Sequence, residues 1–471
     1  MQGFGGRPTQ MRRLLPIFTS TTLLVALAVS GAPAAAATSI SPAREFAPRQ
    51  LVVKFEGERR GQAVALPPGV GVRATAAALR RNPRVAYAEP NYVATASATA
   101  RSSFLPPNDS GTLKGTAKAS ATAGNWAFKQ WNFLPWGGGD TPAGLPFSPG
   151  GIDAIGAWRH LEEAGKPGAE GVTVAVLDTG IAYRNLGGRL SRSPDFDSEQ
   201  FVEGYDFVDR DYLPLDRNGH GTHVAGTIGE KTDNAVGLTG LAYRAKLMPV
   251  RVLAKDGVGY ASIIARGIRF AVAHHAQVIN MSFNFGCGER VPAVDEALRE
   301  AYSRGVVTVA SGGNWSPRSG SKRCVAGPAT GPRVIGVGGT TEGGCLGKYS
   351  IAGAAIDLVA PGGGKPAPRC ASVLARPIYQ VTLKPNSAEF GIPAFYTGTS
   401  MAAAHVSGVA AMVLASGVIG PQQNPKARVD AVTRRLRSTA RGLGLPRAQQ
   451  GAGLIDAGRA TDPGLRRPRR G

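Results

Sequence analysis

The chain has 471 residues, 43% of them hydrophobic, which is enough for two or three domains with substantial cores. Its formal net charge is +22, from 54 Lys and Arg against 32 Asp and Glu. A strongly basic balance suits a nucleic-acid or anionic-surface partner, or a basic secreted protein. Arginine is scattered, and much of it lies in the terminal tail rather than in one interior patch, so we favour a basic secreted protein without a nucleic-acid partner. We also expect a monomer.

The first 37 residues have the pattern of a secretory signal peptide. Arg12 and Arg13 precede a mostly apolar run over residues 14–29, and small residues follow at 34–37. No later stretch reaches about 18 uninterrupted apolar residues, so the sequence predicts no membrane span. We therefore expect an extracellular or cell-surface location.

The four cysteines are expected to form disulfides, as is usual for exported proteins. They lack the C-x-x-C pairs that structural zinc sites use. Three pairings are open, and we favour the one in which each bond closes a local loop. It joins Cys287 to Cys324 and Cys345 to Cys370.

Residues 43–95 predict a small separate α+β unit. Strand-like runs at 51–55 and 85–89 flank an alanine-rich helical stretch at 74–81. A unit of about 50 residues is marginally stable alone, so it should dock on something larger. Residues 96–125 contain few core-forming side chains and predict an exposed, easily cleaved linker.

Residues 126–461 alternate strand and helix patterns, and an Arg-rich tail follows at 462–471. Helical patterns cover 262–274 and 292–303. Apolar, β-branched runs that indicate buried strands occupy 172–177, 246–253, 277–281, 305–310 and 333–337. This alternation predicts an α/β fold, with a doubly wound, mostly parallel sheet and helices on both faces. Functional groups in such sheets gather at the carboxyl ends of strands.

Three polar residues stand at the ends of such elements. Asp178 follows a buried strand, His220 precedes a small-residue helix, and Ser400 follows a glycine turn at the start of another helix. Each has a structural explanation of its own. Asp178 could form a turn, His220 could share a metal with His223, and Ser400 could cap its helix.

Taken together, these residues form a catalytic constellation. Ser400 is a nucleophile at a helix N-terminus, His220 is a base near neutral pKa, and Asp178 can orient and stabilise that base. The side chain of Asn314 and the backbone N–H of Ser400 can stabilise an oxyanion. Ala402 replaces the second glycine of G-x-S-x-G, which disfavours a serine esterase of another fold.

The motifs resemble those of the subtilisin-like (subtilase) serine proteases. They read Val-Leu-Asp178-Thr-Gly, Gly-His220-Gly-Thr-His-Val-Ala-Gly and Gly-Thr-Ser400-Met-Ala, and the similarity runs from about Gln130 to about Asp456. The resemblance implies a subtilisin-like fold and endopeptidase activity on polypeptides through an acyl-enzyme on Ser400. It implies no cofactor for catalysis.

The resemblance also assigns the early unit and the substrate cleft. Residues 43–95 look like an inhibitor-type propeptide, which assists folding, occupies the cleft and is then removed. The residues it places along the substrate are Ser282, Phe283, Asn284, Ser311, Gly312 and Gly313.

Two features depart from the family pattern. Ala404 stands where proline is usual, and because alanine favours helix we expect Ser400 still to be presented. Asn284 and Phe285 stand where glycines are usual, so the family's substrate preference does not transfer. Backbone pairing should still bind an extended peptide.

An acidic cluster lies between the first two motifs. Its carboxylates suit a structural calcium ion, and equally a solvated loop on a basic protein. Its members are Asp195, Asp197, Asp206, Asp209, Asp211 and Asp216.

Asn108, Asn280 and Asn314 match N-x-S/T. A glycan on either of the last two would block the predicted site, so we read those two matches as accidental.

Two other classes of function remain as alternatives. An inactive secreted protein of the same fold would keep binding but lose catalysis, and the intact Asp178, His220, Asn314 and Ser400 argue against it. A basic surface-binding or nucleic-acid-binding protein would bind in a strongly salt-dependent way.

Overall fold

The computed structural model describes residues 46–58, 61–92, 106–113, 124–137, 145–187, 190–289, 291–316, 324–368 and 370–465. The predicted signal peptide, most of the predicted linker and the arginines of the tail lie outside these residues. The chain divides into two units, residues 1–100 and 101–471. We call them the N-terminal unit and the large unit.

Over its described residues, 46–58 and 61–92, the N-terminal unit is a three-stranded antiparallel sheet with one helix. The strands are ordered β2-β1-β3. Their bounds are Phe46–Phe55 (β1), Gln62–Ala65 (β2) and Val85–Tyr92 (β3), with the helix α1 at Val72–Leu79. The core consists of small and medium apolar side chains, namely Leu51, Val53, Ala76, Val85 and Ala88. So small a core fits the expectation that this unit is marginally stable alone.

The large unit contains a seven-stranded parallel sheet, which confirms the predicted fold class. The strand order is β10-β9-β8-β7-β4-β6-β5, with every pairing parallel. The bounds are Thr173–Asp178 (β4), Tyr205–Asp206 (β5), Lys246–Arg251 (β6), Val278–Met281 (β7), Val307–Ser311 (β8), Val334–Thr340 (β9) and Leu358–Pro361 (β10). Two short strands, Thr382–Leu383 (β11) and Phe390–Gly391 (β12), form a separate antiparallel pair.

Helices pack on this sheet in two groups. The helices α5 and α6 pack against each other, and α4 packs against α7. The bounds are Trp126–Lys129 (α2), Ala154–Glu163 (α3), His220–Gly229 (α4), Ala261–Ala273 (α5), Pro292–Ser303 (α6), Thr399–Ser416 (α7), Pro425–Thr439 (α8), Arg447–Gln450 (α9) and Ala457–Thr461 (α10). The predicted helices at 262–274 and 292–303 therefore lie within one residue of α5 and α6.

The central helix is α7, which contacts β7, β8, β9 and β10. Among the described residues it is the one helix long and apolar enough to cross a membrane, but 78% of it is buried inside the protein. A helix that is apolar on all sides and buried is a core helix. Ala404 lies within this helix, which continues without a break from Thr399.

Both favoured disulfides are present. The Cα atoms of Cys287 and Cys324 lie 5.7 Å apart, and those of Cys345 and Cys370 lie 6.1 Å apart. The first bond ties the segment after β7 to the segment that precedes β9.

Candidate active site

Asp178 and His220 form a hydrogen-bonded pair at the carboxyl end of the sheet. Asp178 ends β4 with no exposed surface, and its Oδ1 lies 2.8 Å from Nδ1 of His220, the first residue of α4. The backbone N–H of Thr179 donates to the same oxygen at 2.8 Å. Since a carboxylate only accepts, Nδ1 holds the proton and Nε2 is left with a free lone pair.

The surroundings of His220 favour its protonated form. Burial lowers the pKa of the imidazole, but the charge of Asp178 and its hydrogen bond raise that pKa by more, and Asp216 adds to the rise. The net pKa lies above the ordinary value of 6.5. An imidazole in this environment is a stronger base and a better stabilised imidazolium than free histidine.

Asp216 holds the loops on either side of this pair. Its carboxylate is 1% exposed and accepts five hydrogen bonds of 2.7–3.0 Å. The donors are Thr179 Oγ1, the backbone N–H groups of Asn218, Gly219 and Thr222, and Thr222 Oγ1. One buried carboxylate therefore joins the residue after Asp178 to the first turn of α4.

Ser400 is the second residue of α7, where unpaired backbone N–H groups favour negative charge. Its Oγ donates a hydrogen bond of 3.0 Å to the carbonyl of Ser282. The hydroxyl thus donates to this carbonyl and not to the imidazole of His220. Catalytic hydrogen bonds often tighten only when substrate binds.

Asn314 is fixed against the same helix end. Its Oδ1 accepts from the backbone N–H of Thr399 at 2.9 Å and from Thr399 Oγ1 at 3.1 Å. These two donors orient the amide so that Nδ2 faces Gly398. Gly398 has φ +152°, and a Cβ at this position would lie 3.0 Å from Nδ2. A glycine here thus keeps the amide N–H accessible beside Ser400.

The two predicted substrate-lining segments leave neighbouring parallel strands. Ser282, Phe283 and Asn284 follow β7, while Ser311 ends β8 and precedes Gly312 and Gly313. The side chains of Asn284 and Ser311 are hydrogen-bonded to each other. All six residues therefore lie at or directly after the carboxyl ends of β7 and β8, on the side of the sheet where Ser400 and Asn314 lie.

His223 does not share a metal with His220. Its Nε2 donates to the carbonyl of Ile378 at 3.0 Å, and its ring stacks on Tyr396 with centroids 4.1 Å apart. Complete burial lowers the pKa of His223 to about 3, so the ring stays neutral. Three-residue spacing on a helix did not make these two rings converge.

The acidic cluster, for which a calcium ion and a solvated loop were both open, pairs in part with nearby cations. Asp206 and Asp209 each bind Arg251 at 2.6 Å, and Asp197 binds Lys231 at 2.7 Å. Over the part of the chain that the structure describes, no group of three or more His, Cys, Asp or Glu side chains is arranged to hold a metal ion. Asp206 and Asp209 thus share one arginine, and Asp197 has a cation of its own.

A network of buried side-chain hydrogen bonds that the sequence did not predict connects β7 to the start of α7. Asn280 has no exposed surface, donates to Ser282 Oγ at 3.0 Å and accepts from Ser407 Oγ at 2.9 Å. Ser282 Oγ in turn donates to the carbonyl of Ser400 at 2.8 Å. This network fixes the first turn of α7 against β7. Its sequence signal was a polar residue inside an otherwise apolar strand.

The chain matches a family model and several known proteins. A family model described as "Subtilase family" matches residues 169–453. The chain is 33% identical over 346 residues to a thermophilic serine proteinase of Bacillus sp. strain AK1, covering 74% of this chain and 67% of that protein. It is 33% identical over 308 residues to subtilisin DY of Bacillus licheniformis, covering 65% of this chain and 96% of the relative.

Two further matches differ in the share of the matched protein that they cover. An extracellular protease of Xanthomonas campestris pv. campestris is 34% identical over 367 residues, which are 69% of this chain and 55% of that protein. A solved protease structure from Pseudoalteromonas arctica is similar with a TM-score of 0.55 and 29% identity, covering 75% of this chain and 98% of the other.

Proposed function

This chain belongs to the subtilase family of serine endopeptidases, and we propose that Ser400, His220 and Asp178 perform its peptide hydrolysis. The observation that supports this most is the 2.8 Å hydrogen bond between the buried Asp178 carboxylate and His220 Nδ1. It leaves Nε2 as the one basic nitrogen of the ring. Catalysis in this family needs no cofactor.

The proposed reaction begins when Ser400 Oγ leaves the Ser282 carbonyl and turns to His220. As Oγ attacks the carbonyl carbon of the scissile bond, its proton passes to Nε2, and Asp178 stabilises the imidazolium that forms. The new oxyanion accepts hydrogen bonds from Asn314 Nδ2 and from the backbone N–H of Ser400. The C–N bond breaks as the imidazolium gives its proton to the departing amine, leaving an acyl-enzyme.

A water molecule completes the turnover. Nε2 of His220 takes a proton from this water, whose oxygen attacks the ester carbon. The second tetrahedral intermediate uses the same two donors, and it collapses as the proton returns to Ser400 Oγ. Both halves use one base and one oxyanion site, so a single constellation serves both.

We also propose that the protein is exported as a zymogen. The signal-like first 37 residues and the two disulfides support export. The small α+β unit at 46–92 supports a removable propeptide that inhibits the enzyme and aids its folding. A chain of residues 101–471, which keeps the large unit whole, should then refold to active enzyme only when residues 43–95 are added separately. Efficient unaided refolding would contradict this part.

The test of the catalytic proposal is labelling of the mature protein with a serine-directed fluorophosphonate, followed by peptide mapping. We expect the label on Ser400 in folded wild type, and none in Ser400→Ala or in denatured protein. Ser416→Ala, at the far end of α7, is the matched control and should label normally. If folded, propeptide-free wild type is not labelled, the catalytic proposal fails and an inactive binding protein of this fold takes its place.

A further inference from the structure

A bridge of side-chain hydrogen bonds joins the two segments beside Ser400. Asn284 Nδ2 donates to the carbonyl of Ser311 at 2.6 Å, and Ser311 Oγ lies 3.2 Å from Asn284 Oδ1. Ser311 Oγ also lies 3.2 Å from the carbonyl of Phe283. The Asn284 amide therefore crosses the space between the segment after β7 and the end of β8.

The proposed reaction fixes which part of the substrate faces this bridge. We use "acyl residue" for the residue whose carbonyl carbon is attacked. Its departing amine must face His220, which donates the proton, and its oxyanion must face Asn314. The Cα and side chain of the acyl residue then lie on the remaining side. Ser282 marks that side, since its carbonyl is 3.0 Å from Ser400 Oγ.

The side chain of Asn284 lies across the gap between the segment after β7 and the end of β8. Gly312 and Gly313 follow Ser311. A Cβ at either glycine would point to the core, toward Ile356 and Ile351 respectively. Gly312 cannot be larger, because a Cβ there would lie 2.6 Å from Ile356 Cδ1 on the core side. Opposite these glycines, Asn284 extends a side chain whose far end reaches the Ser311 carbonyl. A glycine at position 284 would remove the crossing group and leave backbone on both sides.

We propose that Asn284 is a specificity-determining residue that restricts the acyl residue to short side chains such as those of Gly, Ala and Ser. This proposal rests on the proposed catalytic role of Ser400. A large side chain at the acyl residue would have to break the bond between Asn284 and Ser311 and leave the buried Ser311 carbonyl without its donor. A short side chain would leave the bridge intact.

The experiment uses the mature full enzyme and a set of quenched peptides that differ only at the acyl residue, which is Gly, Ala, Val, Leu or Phe. Fluorophosphonate titration counts the competent active sites in each preparation, so poor folding of a variant is not read as altered specificity. The variants are Asn284→Gly and Asn284→Ala. Glu289→Gln, an exposed change in the same connection after β7, is the matched control.

For wild type we expect kcat/KM to be at least about 50-fold higher with Ala than with Phe. Asn284→Gly should raise the Phe value at least about tenfold while the Ala value stays within about threefold, and Asn284→Ala should act in the same direction by less. Glu289→Gln should keep the wild-type ratio.

Two results would overturn the proposal alone. One is a wild type that cleaves the Phe peptide as readily as the Ala peptide, and the other is an Asn284→Gly ratio equal to that of wild type. If no peptide is cleaved and no site is titrated, the proposed catalysis itself has failed, which is a distinguishable outcome.

Discussion

The buried imidazole of His405 should make the stability of the large unit fall in mild acid. His405 has no exposed surface, and its Nδ1 donates to the carbonyl of Met401 at 2.8 Å. Its Nε2 accepts from Asn132 Nδ2 at 2.8 Å, and its ring packs edge-on against Phe133. Both nitrogens of the neutral ring are hydrogen-bonded, and a second proton, on Nε2, would face the N–H group of the Asn132 amide. Burial accordingly lowers the pKa of His405 to about 4.

The sign and size of the effect follow from proton linkage. In the unfolded chain histidine has a pKa of about 6.5. Between about pH 6.5 and pH 4 the unfolded state therefore binds a proton that the folded state does not, so the free energy of unfolding drops as the pH falls. At about 1.36 kcal/mol per pH unit the full loss is about 3 kcal/mol, of which about 2 kcal/mol is reached by pH 5.

The assay compares His405→Gln with its parent in a Ser400→Ala background, which prevents self-digestion. The free energy of unfolding is measured by guanidinium titration at pH 7 and pH 5. We expect His405→Gln to be less stable than the parent at pH 7, because packing against Phe133 is lost. The difference should shrink by about 2 kcal/mol at pH 5, because the variant has no imidazole at this position.

The matched control is Val409→Ala, a fully buried change in the same helix. It should lower the free energy of unfolding by about 1–3 kcal/mol, because it leaves a cavity, and the loss should be the same at both pH values. A His405→Gln difference that is equal at pH 7 and pH 5 would refute the reasoning. It would mean that the folded protein accommodates the second proton.

Three further predictions concern catalysis and the disulfide beside the cleft. Asp178→Asn should lower kcat by about 10⁴-fold while substrate binding changes little, as measured by steady-state kinetics, because His220 loses the acceptor that fixes its tautomer; a loss below about tenfold would contradict that role. In a pH profile, kcat/KM should fall as the pH drops through a His220 pKa above 6.5, since the imidazolium cannot act as base. Asp216→Asn should move this acidic limb of the profile to lower pH, because it removes a charge that raises the pKa of His220. An acidic limb that does not move would contradict the proposed effect of Asp216 on that pKa. Replacing both Cys287 and Cys324 by serine should lower the free energy of unfolding by about 3–4 kcal/mol, because the bond closes a loop of 37 residues, and denaturant titration checks it; a cost near zero would mean that other contacts already constrain this loop.

The strands and helices that could be predicted from sequence were those whose own residues have a pattern typical of burial. The strand at 172–177 is a run of β-branched apolar residues, and such a run has one stable position, inside a sheet covered on both faces. The two-residue strands β5, β11 and β12 have no periodicity to detect, and they exist because neighbouring backbone lies alongside them. Short elements of this kind depend on the tertiary structure.

The candidate site also contains residues whose roles could be predicted from sequence and residues whose roles could not. The pairing of Asp178 with His220 was predictable, because reactive residue types at strand and helix ends suit one known constellation. Asp216 was instead grouped with an acidic cluster whose role was left open between a calcium site and a solvated loop, because sequence shows its acidic neighbours and not the five donors around it. The bond between Asn284 and Ser311 joins residues 27 positions apart, so the sequence indicated bulk at Asn284 but not what it touches.

The threonines of the three motifs explain why each motif is longer than its reactive residue. Thr179 and Thr222 both donate their hydroxyls to Asp216, at 2.9 and 2.7 Å, and Thr399 donates to Asn314 Oδ1 at 3.1 Å. Two acceptors thus connect the segments that carry the acid, the base, the nucleophile and the oxyanion donor. A displacement of about 1 Å at a reacting group can cost about 100-fold in rate, so a site assembled from separate elements needs such connections. Because the hydroxyls are buried, valine in their place would keep the packing but leave the acceptors short of donors, which would weaken both the positioning of the reacting groups and the stability of the fold.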